Sequence, residues 1–308
     1  MVVVVAHWRV VVAMHVASAI GCNPMLCKNP FVKGNQAFGC GQCLPCRINR
    51  RRLWTHRIML EASKHENNTF VTLTYSPEHY PDSGSLEPRH PSDFLKRLRK
   101  AVHPIRLRYY LVGEYGDQTQ RAHYHLAIFG IGPEFQSVIE SSWGLGMVHC
   151  GTVTQESAGY LAGYVTKKLT KVDDPRLNGR HPEFARMSLR PGIGAGAMVD
   201  LAELLTTEHG SKIVANAGDV PMSLQHGNKS LPLGRYLRKK LRENLGYELD
   251  QNQAKGLRQK TEEMQALFKA RGATTPWTKK QAIISANRAK VRNMEVRHKI
   301  FSSKKEKL

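Results

Sequence analysis

Two periodicities alternate along the first 170 residues. TFVTLTYSP (69–77), IRLRYYLVGEYG (105–116), AHYHLAIFG (122–130) and GMVHCGTVT (146–154) are rich in β-branched and aromatic residues and are bounded by turn residues, so they predict strands. The middle two, joined by a short polar loop, predict an antiparallel hairpin. Between the strands the apolar spacing changes to that of helices. RINRRRLWTHRIMLEASKH (47–65) sets Leu53, Arg57 and Leu60 on one side and Trp54, Ile58 and Glu61 on another. HPSDFLKRLRKAVH (90–103) carries the stripe Phe94, Leu95, Leu98 and Val102, with Ser92 or Asp93 as the expected N-cap. PEFQSVIESSW from Pro133 and ESAGYLAGYVTKKLTK (156–171) complete the set.

The order is β-α-β-β-α-β-α, which predicts an α+β fold of split βαβ type, a mostly antiparallel sheet with helices packed on it. Beyond residue 172 the pattern weakens into a turn-rich connector (DDPRLNGRHP), a glycine loop (RPGIGAGAM) and a basic region of helical character over 231–308, with 20 Lys and Arg against 7 Asp and Glu. The expected divisions are an apolar leader or extra strand over 1–22, a Cys-rich segment with a basic helix over 23–66, a catalytic-type domain over 67–172, and a basic accessory region over 173–308.

Charge narrows the partner. In 308 residues, 46 Lys and Arg stand against 25 Asp and Glu, for a formal charge of +21 and a pI near 9.9. Such an imbalance points to a polyanion, and nucleic acid fits better than a membrane because no segment pairs a broad apolar face with this charge. The opening MVVVVAHWRVVVAMHVASAIGC lacks a basic start, and His7, Arg9 and His15 interrupt it, so an export signal is not expected. The host cytoplasm is the expected location.

The chemistry-bearing residues cluster in two places. Positions two apart on a strand share a face, so His123 and His125 form a two-point clamp or a merely polar outer face. A turn near Gln118 would set Glu114 opposite His123, giving two imidazoles and a carboxylate suited to Mn²⁺ or Mg²⁺, with Zn²⁺ also chemically admissible. Tyr160 and Tyr164, four apart on a helix, share a face with Lys167 one turn further on. They either pack against the sheet or offer two phenols to a phosphodiester.

Taken together, CGQCLPCRINRRRLWTHRIMLE, VGEYGDQTQRAHYHLAIFG, YLAGYVTKK and MSLRPGIG resemble the replication initiators of microviruses, in the gokushovirus branch. HYH is similar to the His-hydrophobic-His motif of the HUH endonucleases, and YLAGYVTKK to the two-tyrosine motif of rolling-circle initiators. The resemblance spans about Cys27 to residue 195. It implies an HUH-type ferredoxin-like domain, metal ligation by His123, His125 and Glu114, nucleophilic Tyr160 and Tyr164, and a supporting Lys167. It also implies site-specific nicking and joining of origin DNA through a 5′-phosphotyrosine link, with host DNA polymerase and helicase as partners. The competing classes are a non-catalytic DNA-binding protein for packaging or regulation, and an HUH transposase or relaxase.

Cys40, Cys43 and Cys46, with Cys27 upstream, have thiolate spacing for a structural Zn²⁺; reduced thiols and an iron–sulfur site are the alternatives. Next to them, Arg47, Arg50, Arg51, Arg52 and Arg57 are expected phosphate contacts.

Overall fold

The computed structural model describes residues 26–164, 173–226, 229–247 and 255–305. The valine-rich opening and Lys167 lie outside the described residues. In chain order the first half runs β1 (Phe31–Lys33), β2 (Gln36–Phe38), α1 (Leu44–Ala62), β3 (Asn68–Leu73), α2 (Arg89–Ala101), β4 (Arg108–Tyr115), β5 (Ala122–Phe129), α3 (Gln136–Trp143), β6 (Val148–Thr152) and α4 (Gln155–Tyr164). The second half adds β7 (Phe184–Met187), α5 (Ala197–Thr206), α6 (Glu208–Ala217), β8 (Ser223–His226), β9 (Lys229–Pro232), α7 (Gly234–Asn244), α8 (Lys255–Ala270) and α9 (Pro276–Lys305).

The expected α+β class is what the chain forms. Its central sheet has the order β6-β3-β5-β4-β7, with every neighbouring pair antiparallel. The β3-α2-β4 and β5-α3-β6 connections each step over one strand, which is the split arrangement. Side-chain parity then assigns two faces. Val71, Leu73, Leu111, Tyr124, Leu126 and Ile128 meet Phe94, Leu95 and Leu98 of α2 and Ile139 and Trp143 of α3. Burying each such side chain stabilises the fold by about 1.5–3 kcal/mol. On the other face Tyr110, Val112, Ala127 and Phe129 meet Ile58 of α1 and Ala158, Leu161 and Ala162 of α4.

Helix α2 begins at Arg89, so neither Ser92 nor Asp93 is its N-cap. Pro91 sits in the first turn, where its missing N–H would have no intrahelical partner anyway, and the helix therefore extends one turn upstream. Ser92 Oγ instead donates to Pro88 O at 2.8 Å, and Asp93 accepts from Lys96 at 2.9 Å.

Strand β7 lies in the weakly patterned region after residue 172. It pairs with β4 in the register Gly113↔Phe184, and a Cβ on Gly113 would meet Phe184 Cε1 at 2.8 Å and Tyr124 Cδ1 at 3.2 Å. Only glycine lets the Phe184 ring lie flat at this point. The glycine loop also has a structural task, capping the end of α1. The buried Glu61 carboxylate accepts from Gly194 N at 2.6 Å and pairs with Arg108, while Arg57 Nε donates to Ile193 O at 2.9 Å. Burial would raise the Glu61 pKa, but contacts with His65, Arg108 and the Gly194 amide outweigh it and hold the carboxyl below its ordinary range.

A second cluster packs α5, α6 and α7 under the β8–β9 hairpin, joined to the sheet domain through Leu60. His56 of α1 lies fully buried at that junction, with Nδ1 2.9 Å from Pro232 O and Nε2 2.9 Å from His226 Nε2. Burial pushes the His56 pKa down to about 4, from an ordinary 6.5. The folded state thus keeps a neutral ring while the unfolded chain takes up a proton below pH 6.5, so this stabilisation is full above 6.5 and lost as pH falls toward 4. Thermal melts are expected to shift down by a few degrees between pH 7 and pH 5, corresponding to about 2 kcal/mol. His56→Gln is expected to flatten that dependence.

Candidate metal and tyrosine centre

The β4–β5 hairpin turns through residues 116–121, closed by Gly116 N to Arg121 O at 3.0 Å. That turn sets the register Glu114↔His123. Parity then directs Glu114, His123 and His125 to the face covered by α1 and α4. All three offer a ligand atom within 4.8 Å of one another. His123 Nε2 lies 2.9 Å and His125 Nε2 3.1 Å from the same Glu114 oxygen, Oε1. Glu114 and His125 are buried, and His123 is half-buried at the open end of the hairpin.

Both rings are fixed from behind. His123 Nδ1 is 3.0 Å from Arg121 O, an acceptor, so Nδ1 carries the proton and Nε2 presents its lone pair. His125 Nδ1 is 2.9 Å from Thr72 Oγ1 on β3, in the register Thr72↔His125. Thr72 has no motif to mark it in the sequence, though its parity with Phe70 on the same strand places it on this face. Phe70 stacks on His125 with centroids 5.7 Å apart, so the ring has little freedom to turn. Ligand atoms about 3 Å apart match adjacent positions around an octahedral ion with bonds of about 2.1 Å. The donor set, one carboxylate and two imidazoles, therefore fits a divalent cation.

Helix α4 brings both tyrosines to the same place. The Tyr160 and Tyr164 rings meet edge to face with centroids 4.7 Å apart, as expected for positions i and i+4. Tyr160 Oη is 3.3 Å from His125 Nε2, and the Tyr164 ring stacks on His125 at 5.8 Å and 14°. The two phenols differ in setting: Tyr160 is 42% exposed, while Tyr164 is only 9% exposed and its pKa is raised by burial first and then by its contact with Tyr160.

The arginines of α1 divide by role. Arg51 Nε donates to Gly159 O at 2.8 Å and ties α1 to α4, and Arg52 donates to Ser230 O at 2.6 Å. Arg50 is exposed. Arg47 is half-buried, and its Nε has no hydrogen-bond partner among the described residues. Arg57 is turned inward: its guanidinium lies 4.3 Å from the Trp54 ring centroid and 4.7 Å from that of Tyr236, and burial lowers its pKa. It cements α1 to the glycine loop rather than facing solvent.

The four cysteines form a second centre. Cys27, Cys40, Cys43 and Cys46 have sulfurs within 4.8 Å of one another, with Cys27 and Cys43 Sγ 3.8 Å apart. One short run supplies three of them because the chain changes course between them: Cys40 and Cys43 lie in the turn and Cys46 in the first turn of α1. Backbone amides of Asn29 and Cys40 point at Cys27 Sγ, each at 3.3 Å. Burial pushes the Cys40 thiol up, but amides of Cys43 and Gln42 and the neighbouring thiols outweigh it, leaving a pKa lowered to about 6. Tetrahedral bonds of about 2.3 Å put sulfurs about 3.8 Å apart, so the cage fits one thiophilic ion.

Residues 68–169 match the family model described as replication-associated protein ORF2. The chain is 34% identical over 160 residues to the replication-associated protein VP4 of Bdellovibrio phage phiMH2K, covering 45% of this chain and 50% of that one. It is 33% identical over 207 residues to the replication-associated protein ORF2 of Spiroplasma virus 4, covering 60% and 64%. Over 151 residues it is 30% identical to the replication-associated protein ORF4 of Chlamydia phage 1, covering 42% and 38%. The matches thus span between 38% and 64% of these relatives' lengths. No solved structure matches the chain. Together the family model and the three phage relatives bear out the resemblance carried by the motifs, that of a microvirus-type replication initiator.

Proposed function

We propose that the protein initiates rolling-circle replication of a small phage genome by nicking and rejoining single-stranded origin DNA. The observation that carries this reading is the convergence of Glu114, His123, His125, Tyr160 and Tyr164 on one sheet face, with Tyr160 Oη 3.3 Å from His125 Nε2. The phage relatives, all printed as replication-associated, support it.

Tyr160, the exposed phenol, is the first nucleophile. Its oxygen forms a bond to phosphorus as the bond from phosphorus to the 3′-oxygen breaks; the phenol proton passes to water and the departing 3′-oxygen takes one up. The products are a 5′-phosphotyrosine and a free 3′-hydroxyl, the primer for a host DNA polymerase working with a host helicase. Tyr164, one turn deeper, attacks at the second passage, and the 3′-hydroxyl freed there displaces Tyr160 to close the circle. Glu114, His123 and His125 would hold Mn²⁺ or Mg²⁺, which polarises a phosphate oxygen and offsets charge developing in transfer. Thr72 and Arg121 hold the two rings in the ligand tautomer, and Phe70 fixes the plane of His125. The four thiolates would hold a structural Zn²⁺, the cage being too small for a multi-iron cluster.

The test is incubation of purified protein with supercoiled and single-stranded origin DNA plus Mn²⁺, followed by mass spectrometry of the protein. A nicked product and a nucleotide-bearing Tyr160 peptide are expected. Absence of both would leave the non-catalytic DNA-binding reading in its place.

A further inference from the structure

Tyr160 lies on the floor of a cleft of about 1100 Å³ whose far wall comes from the other end of the chain. Arg47, Arg51 and Arg52 of α1 line one side. Lys290 and Arg297 of α9 line the other, together with Asn293 and Met294. Spacing of 290, 293, 294, 297 and 298 is one helical face. Glu156 is the acidic residue among those lining the cleft. Arg51 and Arg52 each spend one N–H on a backbone carbonyl, and a guanidinium has five. The half-buried Arg47 Nε has a donor and, among the described residues, no acceptor.

We infer that α9 is the second wall of a channel for single-stranded DNA, so that one phosphate backbone runs between the cations of α1 and those of α9 and passes over the Tyr160 ring. Two facing rows of cations with an exposed aromatic between them match one charged backbone with unstacked bases, the arrangement that suits a single strand rather than a duplex. Helix α9 is basic throughout, with nine Lys and Arg against one Glu. That lone acid does not face the cleft: Glu295 pairs with Lys28 at 2.7 Å, beside Cys27. Lys279 Nζ reaches Asn35 Oδ1 at 3.0 Å, and Val32 and Ala37 of the β1–β2 hairpin pack against Phe268, Ala282 and Ile283. The cysteine-bound hairpin thus braces α9 in place across from α1. The channel deepens the proposed function and depends on it only for which phosphate meets Tyr160.

The test compares Lys290→Glu with Arg297→Glu, combined, against Arg292→Glu with Lys299→Glu, which make the same charge change on the opposite face of α9. Binding of a labelled 30-nucleotide single strand of mixed sequence and of the equal-length duplex is read by fluorescence anisotropy across a salt series. The cleft-facing pair is expected to weaken single-strand binding at least tenfold and flatten the salt slope by about 1.4, at about 0.7 per phosphate contact. The outward pair is expected to change affinity less than threefold. As a readout needing no variant, photocrosslinking of an iodouracil-bearing strand to the wild-type chain is expected to label residues 290–298. Equal loss from both pairs, equal loss for duplex and single strand, or crosslinks confined to α1 would overturn the channel. Should the wild type cut no origin DNA while the cleft-facing pair still loses single-strand binding, the channel stands and the nicking reaction falls.

Discussion

Tyr160→Phe is expected to lower first-strand cleavage on the order of 10⁴-fold, equivalent to about 5.5 kcal/mol of barrier, and to remove the covalent protein–DNA adduct. The change deletes one oxygen, the atom proposed to form the bond to phosphorus. The ring stays, and with it the edge contacts to Phe70 at 6.2 Å and to Tyr164 at 4.7 Å, so folding and DNA affinity should move little. Tyr164→Phe should differ in kind. The exposed phenol remains, so the first cut is expected within about tenfold of wild type, while closure of the circle is lost. Denaturing gels of labelled origin strands separate these outcomes: adduct without circles for Tyr164→Phe, neither for Tyr160→Phe. If the two variants gave the same adduct yield, the assignment of the outer phenol as first nucleophile would be wrong. Thr72→Val offers a milder comparison. It leaves both histidines and removes the hydroxyl that fixes the His125 ring, and the loss should appear as about 10–100-fold weaker Mn²⁺ dependence with maximal cleavage largely retained.

The second large effect belongs to the cysteines. Cys27→Ser is expected to remove one equivalent of bound zinc and to lower the melting temperature by about 10 °C or more, because metal affinity that exists only in the folded state is folding free energy, roughly 10 kcal/mol or above in small zinc modules. Cys27 is the natural choice since it is 1% exposed and accepts two backbone amides. Cys150 stands apart on β6, and Cys150→Ser should keep the zinc and nearly all the stability. Hydrogen exchange adds a regional readout. If the cage braces α9 through Lys28 and Glu295, amides of residues 276–299 should lose protection in Cys27→Ser before those of the central sheet do.

Much of this centre is legible in the chain alone. The alternating run AHYHLAIF determines which residues share a face, and the length of the polar loop GDQTQR determines the register that brings Glu114 to His123. The i, i+4 pair of tyrosines needs only helical geometry to converge. What stays hidden depends on contacts between distant segments. Strand β7 is four residues long, and FARM has no alternation of its own; it is a strand because β4 offers an open edge. The inward turn of Arg57 depends on Trp54, Tyr236 and the Ile193 carbonyl, which come from three parts of the chain. Helix α9 reads as a charged tail because its basic residues surround it. The packing of α8 and α9 on the cysteine hairpin decides which of them face the cleft.

Gly113 carries a consequence for how such a sequence can drift. It precedes Glu114, and on the sheet face away from the imidazoles its hydrogen makes room for the Phe184 ring. Any side chain at 113 must push β7 outward or bend β4, and a bent β4 carries the neighbouring carboxylate away from the imidazoles. Positions 113 and 184 are therefore bound to one another in descent: a methyl gained at the first is tolerable only where the second has shrunk, and lineages that enlarge one alone should be missing.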